Sequence, residues 1–574
     1  MEPTMSSDKH TQAPKTDKDD QTLADQVTDN LLGPNPFIGL RPQDIMASFQ
    51  VLAKEALRNP MLVVEQEAAL VRDLVAVIAG QSELAPSKGD KRFNDEAWMQ
   101  NPLYRTMLQG YVAWTNALQG FVERTDLDDR TKERARFAVS LFADAFAPTN
   151  AILTNPAALR KTVATKGQNV LDGLKNFVDD IRNNGGLPSQ VNREAFTVGE
   201  NLALSAGKVV FRNPLLELIQ YAPTTDTVFE RPHLIIPPEI NKFYVFDLAP
   251  GRSIVEYLVK HGLQIFVVSW RNPSEAQSHW GIDAYVAALD EAIAAMRDIT
   301  GSNDFIIHAA CSGAMTAAAL AAHYANTGDT GIQAMTMMVA VLGQIRDGTL
   351  ALFATDETAG AAKLASQTKG ILDGTEMNRI FAWLRPNDLV WNFWVNNYLM
   401  GNPPPAFDIL YWSNDSTRLP AKFHAELIDI FRDNRLIHPG AMKVLGKPID
   451  LSKLSFDKMF VAGTTDHITP WKGVYQSARS FGGKNDFILS NSGHIQSLIN
   501  PPTNAKAKFF LNPALPASPD DWLREATPTS GSWWDLWRNW SIDHSGGQRS
   551  APKTLGSEAH PPLGDAPGTY VVEA

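Results

Sequence analysis

The sequence predicts an α/β fold in which a mostly parallel sheet, carrying an inserted cap, follows a helix-rich N-terminal region. From about residue 233 onward, short apolar runs bounded by Gly, Pro, Asn and Asp alternate with helical segments, which is typical of parallel strands joined by helices. Between about residues 43 and 190 the apolar residues recur at helical spacing instead. Hydrophobic residues make up 44% of the chain and charged residues 20%, the balance of an ordinary soluble globular protein.

The N-terminal part of the chain divides into a tail and a helical domain. Residues 1–35 are rich in Asp, Lys, Thr, Ser and Gln. Such a segment buries too little apolar surface to offset the entropy lost on ordering, so we predict that it is disordered. A helical N-terminal domain is predicted over 36–200, where residues such as Leu70, Leu74 and Val77 share one helical face.

The α/β domain is predicted over 201–527. Its strand candidates are, in chain order, HLIIPP, LQIFVVSW, NDFIIHAA, MTMMVAVLG, DKMFVAG and NDFILS. The fourth and fifth are separated by about a hundred aromatic-rich residues, about 346–445, which predict a cap over the carboxyl edge of the sheet. The last segment, 528–574, predicts a short amphipathic helix and then an irregular end, because it places four tryptophans at helical spacing: Trp533, Trp534, Trp537 and Trp540.

Charge and motif content exclude several classes of function. Lys and Arg number 52 against 63 Asp and Glu, a net charge of −11, whereas nucleic-acid binding requires clustered basic side chains. No apolar stretch reaches the ~20 residues of a membrane span, and the N-terminus has no signal-peptide core, so we expect a cytoplasmic protein without a transmembrane segment. Metal-ligand spacings and nucleotide-binding glycine motifs are missing from the sequence, so we expect no cofactor and no metal.

The single cysteine, Cys311, is the candidate nucleophile. It follows the predicted strand NDFIIHAA, precedes a helix-forming run and has small residues on both sides. A strand, a sharp turn and a helix with small flanking residues form a nucleophile elbow, usually written G-x-S-x-G. A lone buried cysteine is more often an inert apolar residue, so the interpretation depends on finding catalytic partners.

Two later segments supply candidate partners. Asp466 lies just past the strand DKMFVAG, and His494 lies in a loop just past NDFILS. The chain order of nucleophile, acid and histidine is that of the α/β-hydrolase fold, and we therefore predict a catalytic triad of Cys311, Asp466 and His494. His467 is a possible auxiliary residue, although a hydrogen bond to nearby backbone would explain it equally well.

An oxyanion hole at this site requires backbone N–H donors. The residue after the nucleophile, Ser312, is predicted to provide one of them. The loop PPEINK after the first core strand is predicted to provide the other, from Ile240 or Asn241. The sequence does not distinguish between these two.

Several long motifs resemble the polyhydroxyalkanoate synthases. They include DKRFNDEAWMQNPLYRTMLQGYVAW, VVFRNPLLELIQY, PPEINKFYVFDL, FVVSWRNP, NYLMGNPPPAFDILYWSNDSTRLPA, GTTDHITPW and SGHIQSLINPP. The similarity covers nearly the whole chain after about residue 35. The motif STRLPA and the tail from SGSWWDLW to PGTYV are most similar to the class II enzymes. These enzymes act without a second subunit type and favour medium-chain 3-hydroxyacyl-CoA.

The resemblance implies an acyltransferase that polymerises (R)-3-hydroxyacyl-CoA into polyester and releases CoA. Cys311 would bear the acyl chain, His494 would be its general base, and Asp466 would be the third catalytic residue. The resemblance also implies a growing polyester chain as partner, a homodimer, and a cytoplasmic location at polyester granules. The family commonly has G-x-C-x-G-G, whereas this chain has Ala309 and Ala314 at the first and last glycines, where a methyl could narrow the elbow or shift the helix.

Cysteine in such an elbow favours acyl transfer, because exchange of one thioester for another keeps the acyl group activated. An apolar substrate channel is expected near Met315, Leu399 and Phe407, although all three are equally compatible with core positions. Asp466 could orient His494 or act as base on the incoming hydroxyl. Two other functions remain open: a thioesterase or polyester hydrolase on the same fold, and a catalytically weak homologue that coats granules through its Trp-rich tail and helical region.

Overall fold

The computed structural model describes residues 42–344, 355–374 and 386–573. The predicted disordered tail over 1–35 lies outside these ranges, as do parts of the predicted cap. Within the ranges described, no helix is both long and apolar enough to cross a membrane.

The N-terminal region consists of helices, as its apolar spacing predicts. Polar side chains begin several of them: Asn101 accepts a hydrogen bond from the backbone N–H of Leu103, and Asp128 from that of Thr131. Small apolar clusters, one of them around the buried Trp98, hold the helices together. The helices are α1 Pro42–Arg58, α2 Pro60–Ile78, α3 Ala97–Gln100, α4 Pro102–Arg124, α5 Asp129–Ala145, α6 Pro156–Ala164 and α7 Gln168–Asn183.

An 11-stranded sheet forms the centre of the molecule. The strands of the described chain, including three separate short pairs, are β1 Gly207–Arg212, β2 Leu216–Tyr221, β3 Thr227–Phe229, β4 His233–Ile236, β5 Ile265–Trp270, β6 Phe305–Ala310, β7 Ile332–Met338, β8 Ile371–Leu372, β9 Leu419–Pro420, β10 Lys443–Val444, β11 Lys447–Pro448, β12 Asp457–Gly463, β13 Asn485–Ser490, β14 Lys508–Leu511, β15 Thr527–Ser530, β16 Gln548–Ser550 and β17 Gly564–Asp565.

The order across the sheet is β15-β14-β13-β12-β7-β6-β4-β5-β2-β1-β17. Pairing is parallel from β13 to β5 and antiparallel at both edges. The parallel part consists of the six strands predicted from the sequence. The prediction of an α/β fold with a mostly parallel sheet is therefore confirmed.

Helices and connecting segments cover both faces of the sheet and form two apolar clusters. Leu234 and Ile236 belong to one cluster and Ile235 to the other, because successive strand residues point to opposite faces. The remaining helices are α8 Ile254–Val259, α9 Ile282–Thr300, α10 Cys311–Thr327, α11 Asp356–Lys369, α12 Asp408–Asn414, α13 Ala421–Asp433, α14 Trp471–Arg479, α15 His494–Leu498, α16 Pro519–Glu525 and α17 Trp533–His544.

The segment between β7 and β12 contains α11 to α13 and packs against the N-terminal helices. The hydroxyl of Tyr398 donates to Asp180 at 2.7 Å, and the indole N–H of Trp394 donates to the carbonyl of Asn150 at 3.0 Å. Helix α7 comes so close that a Cβ at Gly173 would lie 1.9 Å from the carbonyl oxygen of Tyr398. Specific polar contacts thus join this segment to the helical region. The domain boundaries stay predictions.

The C-terminal segment forms the predicted helix, α17, and most of the end that follows it has no regular secondary structure, but that end also contains two short strands that were not predicted. After the helix, β16 pairs with β3, and β17 pairs with β1 and forms the last strand at that edge of the sheet. The carboxylate of Glu217 then holds the chain end by accepting from the backbone N–H groups of Thr569 and Tyr570 at 2.9 and 3.0 Å. The tryptophans of α17 are buried rather than exposed, so they do not form a granule-coating surface.

Candidate active site

Cys311 lies where β6 ends and α10 begins, and its φ is +50°. A non-glycine residue in the left-handed region marks a strained backbone, and here the strain turns the chain directly from strand to helix. Gly313 allows the turn to pack closely, because a Cβ there would lie 2.3 Å from the carbonyl oxygen of Pro237. Cys311, which is partly exposed, therefore occupies the geometry of a nucleophile elbow.

Ala309 and Ala314, which stand at the two glycine positions of the resembling motif, are both accommodated in the core. Ala309 is fully buried and pairs in the sheet with Ile236 and Met337. Ala314 is also fully buried and packs into the apolar cluster that covers one face of the sheet. The fold has room for both methyl groups, and α10 still begins at Cys311.

Asp466 and His494 come together because they follow neighbouring parallel strands, β12 and β13, at the same edge of the sheet. Nδ1 of His494 lies 2.7 Å from Oδ2 of Asp466, and the two side chains are 4% and 0% exposed. Burial by itself lowers the pKa of His494, but the Asp466 carboxylate and the Cys311 side chain raise it well above its ordinary value. Burial raises the pKa of Asp466, and the charge of His494 reverses that shift and lowers it.

Thr469 completes the surroundings of Asp466, and the sequence analysis missed it. Its hydroxyl lies 2.7 Å from Oδ2 of Asp466 and 3.1 Å from Nδ1 of His494. Oδ1 of Asp466 accepts the backbone N–H groups of Ile468 and Thr469, both at 2.9 Å. These bonds favour the ionised carboxylate and fix its orientation. The spacing Asp-x-x-Thr is typical of a turn capped by an Asp side chain and was the available signal.

The C-terminal tail supports the short helix α15 that carries His494. The indole N–H of Trp533 donates to the carbonyl of Ser497 at 2.8 Å, and that of Trp534 to the carbonyl of Leu498 at 3.1 Å. Both indoles are at most 1% exposed. Two of the four tryptophans seen in the sequence of this tail, Trp533 and Trp534, thus help to hold the helix that carries His494.

The loop after β4 lies against the first turn of α10. The backbone N–H of Glu239 donates to Oγ of Ser312 at 3.1 Å, and the carbonyl of Ile240 accepts the N–H of Thr417 at 2.8 Å. The N–H of Ser312 lies in the first helical turn, which has no acceptor within the helix. The N–H groups of Ile240 and Asn241 have no acceptor in the part of the chain that the structure describes. Three candidate donors therefore border the elbow.

Comparison with known proteins places the chain in a family. Residues 89–258 match the family described as "Poly-beta-hydroxybutyrate polymerase (PhaC) N-terminus", and residues 245–501 match the one described as "alpha/beta hydrolase fold". The chain is 48% identical to "Poly(3-hydroxyalkanoate) polymerase 1" of Ectopseudomonas oleovorans, over 97% of this chain and 100% of that one. The chain belongs to the poly(3-hydroxyalkanoate) polymerase family.

Two further relatives agree with this assignment. "Poly(3-hydroxyalkanoate) polymerase 2" of Ectopseudomonas oleovorans is 48% identical over 94% of this chain and 96% of its own. "Poly(3-hydroxyalkanoate) polymerase subunit PhaC" of Cupriavidus necator is 37% identical over 86% of this chain and 85% of its own. The family resemblance predicted from the motifs and the α/β-hydrolase fold class are both confirmed.

The predicted channel residues of this family member have different surroundings. Met315, early in α10, is 3% exposed in the cluster on one face of the sheet, whereas Phe407 packs against the cluster on the other. Phe407 also lies under the guanidinium of Arg252, 5.6 Å from the ring centre. Leu399 is buried, and its carbonyl accepts from the side chain of Asn169 in α7. The channel and its lining by these three residues stay predictions.

His467 is partly buried and directly follows Asp466, whose carboxylate accepts from the backbone N–H groups of Ile468 and Thr469 and lies within hydrogen-bond distance of the Thr469 hydroxyl and of His494. Its auxiliary role stays a prediction. Over residues 42–344, 355–374 and 386–573, no group of three or more His, Cys, Asp or Glu side chains is arranged to hold a metal ion.

Proposed function

We propose that the chain polymerises (R)-3-hydroxyacyl-CoA into poly(3-hydroxyalkanoate) and releases CoA, with Cys311 carrying the acyl chain as a thioester. The observation that carries this proposal is the connected series of Asp466, His494 and Cys311 at a nucleophile elbow. The substrate class is supported by near full-length relatives whose names state poly(3-hydroxyalkanoate) polymerase activity.

In the first step Cys311 takes the acyl group from CoA. Nδ1 of His494 is bonded to Asp466, so Nε2 is the nitrogen left to accept the proton of the Cys311 thiol. The thiolate attacks the thioester carbonyl, whose oxygen becomes negative and accepts from the N–H of Ser312 and from that of Ile240 or Asn241. The bond to the CoA sulfur then breaks, and CoA leaves as a thiol with the proton from His494. One thioester has replaced another.

In the second step the 3-hydroxyl of another unit attacks the Cys311 thioester. His494 accepts the hydroxyl proton, the new ester C–O bond forms and the C–S bond breaks. The departing thiolate of Cys311 then takes that proton from His494, which restores the starting state. Asp466 is best placed to orient His494 and stabilise its cationic form, because both of its carboxylate oxygens already accept hydrogen bonds.

The same geometry would catalyse hydrolysis if water attacked the thioester in place of the hydroxyl. A cysteine nucleophile supports transfer, because the acyl group stays activated until the hydroxyl arrives. The proposal includes a preference for medium-chain units, a homodimer as the active form and a site of action at polyester granules. These features rest on the class II resemblance.

The test follows free CoA and polymer together. Purified protein is supplied with (R)-3-hydroxydecanoyl-CoA, thiol release is followed with a chromogenic reagent, and chloroform-soluble polymer is weighed. We expect both products, and we expect Cys311→Ala to lower CoA release by several orders of magnitude with an unchanged thermal midpoint. Cys311→Ser should retain only a small fraction of the wild-type rate of CoA release.

Two results would contradict the proposal. Free 3-hydroxy acid in place of polymer would establish a thioesterase. Polymer formation by Cys311→Ala at the wild-type rate would remove Cys311 from the mechanism.

A further inference from the structure

Glu239 is a buried carboxyl group that the proposed reaction does not use. It precedes Ile240 in the loop after β4 and is 2% exposed. The hydroxyl of Thr316 donates to its Oε1 at 2.6 Å, while its Oε2 has no hydrogen-bond partner among the described residues. A buried carboxylate oxygen without a partner is costly, so its position beside the elbow requires an explanation.

Glu239 fastens its loop to the helix that begins at Cys311. Its N–H donates to Oγ of Ser312, and its carboxyl group accepts from Thr316 one turn later. Ser312 and Thr316 are four residues apart and therefore lie on one face of α10. The carbonyl of Glu239 also accepts from the hydroxyl of Thr417, which holds the loop from its other side. The bond to Ser312 occupies the N–H of Glu239, so that group is not a free oxyanion donor.

We infer that Glu239 is a positioning residue that sets the separation between the two halves of the oxyanion hole. One half is the N–H of Ser312 on α10, and the other is the N–H of Ile240 or Asn241 in the loop. The inference rests on the proposed function, because it deepens the role of that same site. The separation matters because a donor acts on the oxyanion only at about 2.7–3.1 Å, so a small shift of the loop weakens it.

The charge of Glu239 gives the inference a distinctive signature. Burial raises the pKa of Glu239 to about 7, against the lowering effect of the Ser312 and Thr316 hydroxyls. The titratable group that faces it from α9 is Tyr285, whose own pKa burial raises well above the ordinary value. Ionised Glu239 would place negative charge beside the forming oxyanion, and protonated Glu239 would not. The oxyanion hole should therefore weaken as pH rises through about 7.

The experiment compares Glu239→Gln with Glu239→Ala by CoA release from (R)-3-hydroxydecanoyl-CoA. Gln keeps an oxygen that accepts from Thr316 but cannot ionise, whereas Ala removes the contact. We expect Glu239→Ala to lower kcat about 10- to 100-fold with KM changed less than about threefold, since loss of a whole donor costs about 10²–10³. Glu239→Gln should stay within about threefold of wild type near pH 6. The ratio of its kcat to that of wild type should then rise severalfold by about pH 9.

Glu217 provides the matched control. It is fully buried and accepts the hydroxyl of Thr569 at 2.8 Å, a bond like that of Glu239 to Thr316, but it holds the C-terminal end of the chain. Glu217→Gln should alter the thermal midpoint without altering kcat or its dependence on pH.

A wild-type kcat in Glu239→Ala would overturn the inference, and so would a constant ratio of Glu239→Gln to wild type across the pH range. If Glu239→Ala does not fold, the inference is tested by Glu239→Gln alone, through the change with pH in the ratio of its kcat to that of wild type. CoA release is required of a polymerase and of a thioesterase alike. Free acid as the product would therefore refute the proposed function, and the CoA-release rates of the Glu239 variants and the wild type could still be compared.

Discussion

Replacement of Asp466 by Asn tests the buried pair at the centre of the site. The substitution keeps the size of the side chain and removes its negative charge. In the wild type that charge offsets the lowering of the His494 pKa by burial. In the wild type this charge raises the pKa of His494, so the folded protein binds that proton more tightly than the unfolded chain does. In Asp466→Asn, burial still lowers the pKa of His494 and only Cys311 still raises it. The pKa of His494 should therefore fall below its ordinary value of about 6.5.

The two proteins should therefore respond to pH with opposite sign. In the wild type the stabilisation from His494 is fully present below about pH 6.5 and is lost as pH rises through the raised pKa. In the variant, stability should fall as pH falls through about 6.5, because the unfolded chain binds the proton more tightly. Breaking a buried ion pair costs about 3–5 kcal/mol if the partner stays charged, so near pH 6 we expect Asp466→Asn to be less stable than the wild type by about 3 kcal/mol. Near pH 9 we expect the variant to be less stable by about 1 kcal/mol, the net contribution of one hydrogen bond.

Urea unfolding followed by tryptophan fluorescence between about pH 6 and pH 9 measures the stability difference. The kcat for CoA release, measured alongside, should fall about 10- to 150-fold, because a hydrogen bond to a charged group contributes about 1.5–3 kcal/mol and each 1.36 kcal/mol is tenfold in rate. Asp247→Asn is the control, because that buried carboxylate accepts from the hydroxyls of Ser205 and Ser253 and not from an imidazole. Parallel stability curves for wild type and Asp466→Asn would refute the ion pair, and an unchanged kcat would refute the orienting role.

Two further predictions concern the support of the site and its substrate. Trp533→Phe should lower stability by about 1–3 kcal/mol, because it leaves the carbonyl of Ser497 without its donor, and should also lower kcat for CoA release. Trp522→Phe is its control, because the buried indole N–H of Trp522 has no hydrogen-bond partner in the described chain; equal losses in the two variants would contradict the role of the Trp533 hydrogen bond. For substrate length, burial of each methylene is worth about 0.8 kcal/mol, so kcat/KM for 3-hydroxyoctanoyl-CoA or 3-hydroxydecanoyl-CoA should exceed that for 3-hydroxybutyryl-CoA by at least about tenfold. A preference for the four-carbon substrate would contradict the class II assignment.

Local pattern explains why much of the fold was predictable. The six apolar runs between helical segments predict buried strands, and three of them, β6, β12 and β13, are followed by Cys311, Asp466 and His494. Because parallel strands end at a common edge, their order along the chain already predicted that these groups meet. The short strands within the C-terminal end were not predicted, because β17 is only two residues long and pairs with β1, far away in the sequence, and no local pattern records such a pairing.

By itself, the sequence determined the six parallel strands, the elbow around Cys311 and the membership of the family, since these depend on periodicity, spacing and long motifs. Only the tertiary structure decided what surrounds the triad. Thr469 bonds to Asp466 within one turn, but Trp533 meets Ser497 across 36 positions and Glu239 meets Thr316 across 77. The physical reason is that a hydrogen bond of about 3 Å depends on how distant elements pack, and periodicity constrains only which face of an element is buried.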